Sequence, residues 1–213
     1  PLIRNTREIR MKPVRASELG IDIAAIDRQL DDRRGLPIHM YSDPKVYDLE
    51  IAAIFERTWQ YFCPIEKLKR AGDIVTGMVG RTPVVVTRAE DGKLHGLVNV
   101  CPHRGYTVAE GERQHCKLLL CKYHSWSFRL DGSLLRAPDT EDDETFDRSA
   151  YGLRRVSVDT FAQAVFVNVD PEALPLRQAF PQLEPWAREI GFREDPELCT
   201  FDQELIKDQE GNW

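Results

Sequence analysis

LHGLVNVCPHRGYTVAEGERQHCKLLLCKYHSWSF, residues 94–128, sets two short cysteine–histidine motifs directly behind two apolar runs. The first motif is Cys101-Pro102-His103-Arg104-Gly105, after Leu94–Val100. The second is Cys121-Lys122-Tyr123-His124-Ser125-Trp126, after Leu118–Leu120. The pattern is C-x-H, then seventeen residues (104–120), then C-x-x-H. Runs of Val and Leu of this length read as strands. Both motifs can therefore lie as adjacent loops at one end of a β-sheet, a geometry that suits a metal site held between two hairpin-like loops.

The sequence around this stretch is also rich in short strands. Ile74–Val79 and Pro83–Arg88 precede it, and Asp91-Gly92 marks a tight turn into Leu94–Val100. Trp126–Leu130, Ser133–Arg136, Leu153–Val158 and Ala164–Val169 follow, with Asp131-Gly132 as a second hairpin signal. Many short strands with regular turns imply a mainly β fold, an antiparallel sandwich or barrel carrying two ligand loops, with flanking helices. Before the strands, Tyr41-Ser42-Asp43-Pro44 is a helix start, with Ser42 or Asp43 as cap and Pro44 in the first turn. Apolar Val46, Leu49, Ala53, Ile54 and Phe55 extend the expected helix over 44–60. A shorter helix is expected at Ile21–Leu30, stopped by DDRRG and Gly35. Past Asp170 the chain turns helical in character (PLRQAFPQLEPWAREIGF). The expected organisation is an arm at 1–40, a metal-bearing domain at 41–172, and a helical extension at 173–213.

Composition narrows the function. With 213 residues and 42% hydrophobic content, a core forms without disulfides. The net charge of −6, with no basic patch interleaved with aromatics, disfavours nucleic acid and anionic lipid as partners. No apolar run approaches the roughly 20 residues that span a bilayer, and PLIRNTREIRMKPVRASELG has no secretory apolar core. A cytoplasmic setting is expected, and Pro1 in place of Met suggests trimming. Five cysteines are an odd number without the regular framework of a disulfide scaffold. In a reducing compartment, clustered Cys and His are expected to bind metal.

Structural zinc draws its ligands from Cys-Cys or His-His pairs. Here each motif gives one thiolate and one imidazole. A [2Fe–2S] unit can take both thiolates, Cys101 and Cys121, on one iron and both imidazoles, His103 and His124, on the other, as Rieske centres do. Two neutral imidazoles make such a cluster less negative and raise its potential above that of the all-cysteine kind. Their outer nitrogens can also titrate in step with electron uptake.

These motifs resemble those of the large (alpha) subunits of Rieske non-haem iron ring-hydroxylating oxygenases. The resemblance covers roughly residues 41–170, including GDIVTGMVGRTPVVVTRAEDGKLHGLVNVCPHRG and FVNVD. It implies that Trp126 packs under the cluster and that Arg104 and Tyr123 lie close to it. The family's second motif usually reads C-P-x-H-G-W. Here Lys122 replaces Pro, which places a positive charge near the cluster and pushes its potential upward. Ser125 replaces Gly at a turn that needs φ > 0. The resemblance further implies that Asn212-Trp213 opens a catalytic domain, where two histidines and a carboxylate hold a mononuclear iron. No histidine follows His124, so the C-terminal part cannot assemble that site. The implied function is the electron-transfer portion of a dioxygenase-type oxidoreductase. A reductase or ferredoxin supplies electrons, and other copies of the subunit form a trimer.

Two other functions fit the same ligands. One is a stand-alone Rieske ferredoxin, although such carriers are near half this length and lack the arm and capped helix. The other is a structural zinc module. The remaining candidates have plainer readings. His115-Cys116 fits no metal template. Cys63, within TWQYFCPI, is expected to be a small buried hydrophobe, and Cys199 carries no chemistry. His39 and His95 are isolated, and Trp59 and Trp186 are expected to be packing residues. The acidic run Asp139–Glu144 is either a docking surface for a basic redox partner or, more simply, a solvated loop.

Overall fold

The computed structural model describes residues 21–138, 140 and 143–191. Cys199, Asn212, Trp213 and half of the acidic run (Asp139, Glu141, Asp142) lie outside these. The chain divides into two compact units, Phe55–Glu204 and the remainder.

The smaller unit is helical where described. Helix α1 (Ile23–Asp31) is capped by Asp22, whose carboxylate accepts the Ala25 N–H at 3.1 Å. A short α2 (His39–Ser42) leads to α3 (Pro44–Glu50), capped by Asp43 through the Lys45 N–H at 2.9 Å. A π-helical turn, Ile51–Phe55, continues it. The helix expected over 44–60 thus ends at Phe55, because Gln60–Pro64 is a strand.

The larger unit is antiparallel β, as its sequence implies. Its strands are β1 (Gln60–Pro64), β2 (Ile74–Val79), β3 (Thr82–Arg88), β4 (Leu94–Val98), β5 (Glu112–Arg113), β6 (Leu119–Leu120), β7 (Ser127–Phe128), β8 (Leu134–Arg136), β9 (Arg155–Phe161) and β10 (Ala164–Asn168). Seven form one sheet in the order β1-β10-β9-β4-β3-β2-β5, and β6-β7-β8 form a second. Both Asp-Gly pairs are turns of one design. Ala89 N–H reaches Lys93 C=O across Asp91-Gly92, and Arg129 N–H reaches Ser133 C=O across Asp131-Gly132. Each Asp carboxylate also accepts the N–H two residues on. Gly92 and Gly132 have φ of +75° and +88°, which glycine adopts without strain.

Alternation along the strands builds two cores. On β3, Val85 faces the small sheet with Ile74 and Leu97, against Leu119, Phe128 and Leu134. Val84 and Val86 face the other way, with Val75, Val79, Val98, Val165, Val167 and Cys63. Both faces of the strand are closed to solvent, which explains its near-continuous valine run. The buried Thr87 hydroxyl donates to the Leu130 carbonyl and ties the two sheets together. A third cluster lies where α4 (Leu176–Ala179) and α5 (Leu183–Glu189) meet Trp59, Phe161 and Phe166. Trp59 packs there as expected, but Trp186 does not, being 54% exposed on α5.

Candidate metal centre

The four candidate ligands lie on two turns that repeat the same backbone bonds. In the first, Cys101 N–H donates to Tyr106 C=O at 2.8 Å, and Gly105 N–H donates to Cys101 C=O at 2.9 Å. In the second, Cys121 N–H donates to Trp126 C=O at 2.8 Å, and Ser125 N–H donates to Cys121 C=O at 3.0 Å. The fifth residue of each turn is left-handed, Gly105 at φ +73° and Ser125 at φ +58°. Two turns of equal length therefore present histidine one position apart, at the third residue in one and the fourth in the other.

The geometry gathers the ligands in pairs. Cys101 and Cys121 are buried at 1% and 2% exposure within the core that contains Trp126 and Phe128. The His103 and His124 rings face each other edge-on, 4.7 Å between centroids. Trp126 stacks flat on His103 at 4.8 Å and 6°, and the stacked pair Phe146 and Tyr151 backs the indole. On the outer side Tyr123 lies over His124, ring centroids 3.8 Å apart, and contacts Tyr106. Arg104 is exposed, and its charge joins the larger effects of burial and His124 in lowering the pKa of His103.

These features fit a two-iron cluster. His124 Nδ1 is buried without a hydrogen-bond partner, an orphan that a metal would satisfy. Burial, reinforced by Cys121, pushes the Cys101 thiol up to about 11, so this thiol stays neutral until a cation deprotonates it. His103 is held toward its neutral, ligating form. Among the described residues no three of His, Cys, Asp or Glu converge on one ion. The four side chains form a thiol pair and an imidazole pair, the donor set that a two-iron cluster of mixed ligation would need.

Asn99, unnoticed in the sequence, fixes the first turn. Only 3% exposed, it donates from Nδ2 to the Ala109 carbonyl at 2.8 Å and accepts the Val108 and Ala109 N–H groups at 3.2 and 2.9 Å. The signal was a polar residue inside the apolar run LVNV. Lys122 also differs from expectation. Its ammonium is 2.9 Å from Glu110 Oε2, so its charge is compensated and does not act on the cluster alone.

The other candidates are brought elsewhere. His95 pairs with Asp91 at 3.4 Å, His39 is exposed, and Cys63 is buried among valines. Cys116 is half-buried beside Gly72, its N–H donating to the Gly72 carbonyl. Asp143 caps its own turn by accepting the Thr145 N–H and hydroxyl.

The paired left-handed residues make a prediction of opposite signs. Gly105→Ala is expected to cost about 1 kcal/mol, wholly conformational because a Cβ there meets nothing within 4 Å. Ser125→Gly relieves the same strain and should be neutral or stabilising by up to about 1 kcal/mol, because the more flexible unfolded chain offsets part of the gain. Urea unfolding of both variants measures this.

A β fold with paired Cys and His turns defines an iron–sulfur protein of mixed ligation. Comparison with known proteins agrees: residues 58–161 match the Rieske [2Fe-2S] domain family, so the chain carries a domain of that family. The large subunit of anthranilate 1,2-dioxygenase from Burkholderia cepacia is 36% identical over 169 residues, covering 75% of this chain and 40% of that one. The carnitine monooxygenase oxygenase subunit of Escherichia coli K12 is 32% identical, covering 70% and 40%. The apo crystal structure of a quaternary ammonium Rieske monooxygenase superposes with a TM-score of 0.68 at 30% identity, over 73% of this chain and 45% of that one. Naphthalene 1,2-dioxygenase with bound indole gives 0.61 at 31%, over 70% and 35%. The relatives are Rieske oxygenase large subunits, and this chain spans less than half the length of each of these. No helix among the described residues is long and apolar enough to cross a membrane.

Proposed function

We propose that Cys101 and Cys121 ligate one iron and His103 and His124 the other, and that the chain is the electron-transfer portion of an oxygenase large subunit. The observation that carries this reading is the matched pair of turns, which brings two buried thiols and two facing imidazoles together at the end of the small sheet. Bound there, a Rieske cluster supplies one-electron transfer at a potential raised by its neutral imidazoles. The protein's own groups shape that site. Trp126, backed by Phe146 and Tyr151, walls His103 from water and fixes its ring plane. Tyr123 covers the outer face of His124. The cysteines lie in the core, so the half-buried histidine edge is where an electron partner approaches.

The donor in this reading is a reductase or ferredoxin, and the acceptor is a mononuclear non-haem iron in a catalytic domain beyond this chain's own residues. Another copy of the full-length subunit fits the acceptor role, since inter-subunit electron transfer is described for a structurally similar quaternary ammonium Rieske monooxygenase. The proposed organisation is an arm at 1–40, the cluster domain at 41–172 and an extension at 173–213, in a cytoplasmic protein. The relatives named for their substrates divide between aromatic compounds and quaternary amines, so the substrate class stays with the catalytic domain.

Iron and acid-labile sulfide analysis with EPR of the dithionite-reduced protein tests the assignment. The expected result is about two irons and two sulfides per chain and a rhombic signal from mixed thiolate–imidazole ligation. A colourless, EPR-silent chain holding zinc overturns it.

A further inference from the structure

The segment that leaves the first cysteine–histidine turn returns to the second through one ion pair. Glu110 Oε2 and Lys122 Nζ are 2.9 Å apart, and both ends are anchored. Lys122 directly follows Cys121. Glu110 directly follows Ala109, whose N–H and C=O are both bonded to Asn99, two residues before Cys101. The Glu110 carbonyl also accepts from Arg113 Nε at 3.2 Å. The pair therefore closes a loop that runs from Cys101 through Asn99, Ala109, Glu110 and Lys122 to Cys121.

Both side chains are 57% exposed. A pair this wet contributes little to stability. Its influence on a nearby redox centre is of another kind. One-electron reduction adds a negative charge, which an unmatched cation favours and an unmatched anion opposes. In the pair the two effects largely cancel.

We propose that Glu110 and Lys122 form a charge-compensating strap between the two turns, which keeps them in register and holds the reduction potential of the site between the values either charge alone would give. This rests on the cluster assignment above. Both are positioning residues, and neither is a ligand. The motif position held by Lys122 is what makes the strap possible, because a side chain without a cation there would leave Glu110 unmatched.

The test uses the full chain, E110Q, K122M and the charge-swapped double variant E110K/K122E. Iron and sulfide are quantified first, and each protein is then titrated electrochemically at low and high salt. At the wild-type midpoint, E110Q is expected to raise the ratio of reduced to oxidised cluster by about threefold to tenfold, and K122M to lower it similarly, tenfold being about 59 mV for one electron. High salt should shrink both shifts, because the charges are half in water. The double variant should keep the wild-type iron content.

Shifts of the same sign in both single variants, or no shift in either, overturn the electrostatic role. Iron lost from the single variants and restored in the swapped one supports the register role. Iron lost from all three variants overturns that role. A wild-type chain without iron and sulfide removes the cluster assignment, and the strap's redox role falls with it, a result distinct from unshifted potentials in a loaded protein.

Discussion

Cys101→Ser and Cys121→Ser are each expected to give a colourless chain with its iron reduced at least about tenfold, while Cys63→Ser and Cys116→Ser keep theirs. Either change removes one of the four proposed protein ligands and leaves a buried hydroxyl in its place. Changes even in outer-shell partners of a metal cost about 10–100-fold in affinity. The hydroxyl adds a penalty of its own, about 1–3 kcal/mol, since Cys101 and Cys121 lie in a core with Leu119, Val108 and Phe128. Cys63 is equally buried but sits among valines of the other core, so its serine variant should lose stability without losing iron. The sheets should survive in the cluster-free variants, because the second core, with Val75, Val79, Val84, Val86, Val98, Val165 and Val167, contains neither cysteine. The measurement is iron per chain together with far-ultraviolet circular dichroism. Equal iron loss in all four serine variants would sink the assignment of Cys101 and Cys121. So would full iron retention in either of those two.

That cluster binding also stabilises the fold follows by mass action, since a ligand held by the native state alone shifts unfolding. Removing iron with a chelator under reducing conditions should therefore lower the melting temperature of the wild type and leave that of Cys121→Ser unchanged.

The hairpins and the four candidate ligands were legible because their signals are local. Asp91-Gly92 and Asp131-Gly132 announce turns, and β-branched runs announce strands, within a few residues of sequence. Strand β1 was missed for the opposite reason. TWQYFCP continues the apolar spacing of the helix before it, and its partner β10 lies about a hundred residues further on, as in the register Gln60↔Val167. Strand β5 is two charged residues, and only hydrogen bonds to Ile74 and Val75 make it a strand. The equivalence of the two turns was hidden because their histidines sit at different offsets. It shows only in the backbone bonds and the shared left-handed position. Ser125 illustrates the limit from the other side: its departure from glycine was readable, and the positive φ it must bear was expected and is present. The compensation of Lys122 by Glu110 was not readable, because two exposed charges twelve residues apart have no preferred partner in sequence.

The largest effect outside the ligands is expected at Asn99. Asn99→Ala strands three buried backbone groups: the N–H of Val108, and the N–H and C=O of Ala109. An orphaned buried polar group costs about 1–3 kcal/mol. Allowing for partial recovery by water, the variant should lose about 3–5 kcal/mol. Asn99→Asp is the sharper test, since it keeps the shape and both acceptor bonds. It loses the donor and sets a carboxylate against the Ala109 carbonyl, where the native amide donates at 2.8 Å. A burial of 3% exposure leaves that charge little water, so the isosteric change should cost as much as truncation. Amide exchange locates the damage. Val108 and Ala109 should exchange at least about 100-fold faster through local opening, whereas Val84–Val86, paired on both sides in the middle of the sheet, should exchange only at the rate that the global unfolding of each variant sets. The local loss reaches the metal through the chain itself, for Asn99 stands two residues before Cys101 and its clamp fixes the segment that leads to Glu110. Iron affinity should therefore fall in both variants although no ligand has changed. If Asn99→Asp instead unfolds within about 1 kcal/mol of the wild type and retains its iron, the clamp is not what holds the first turn.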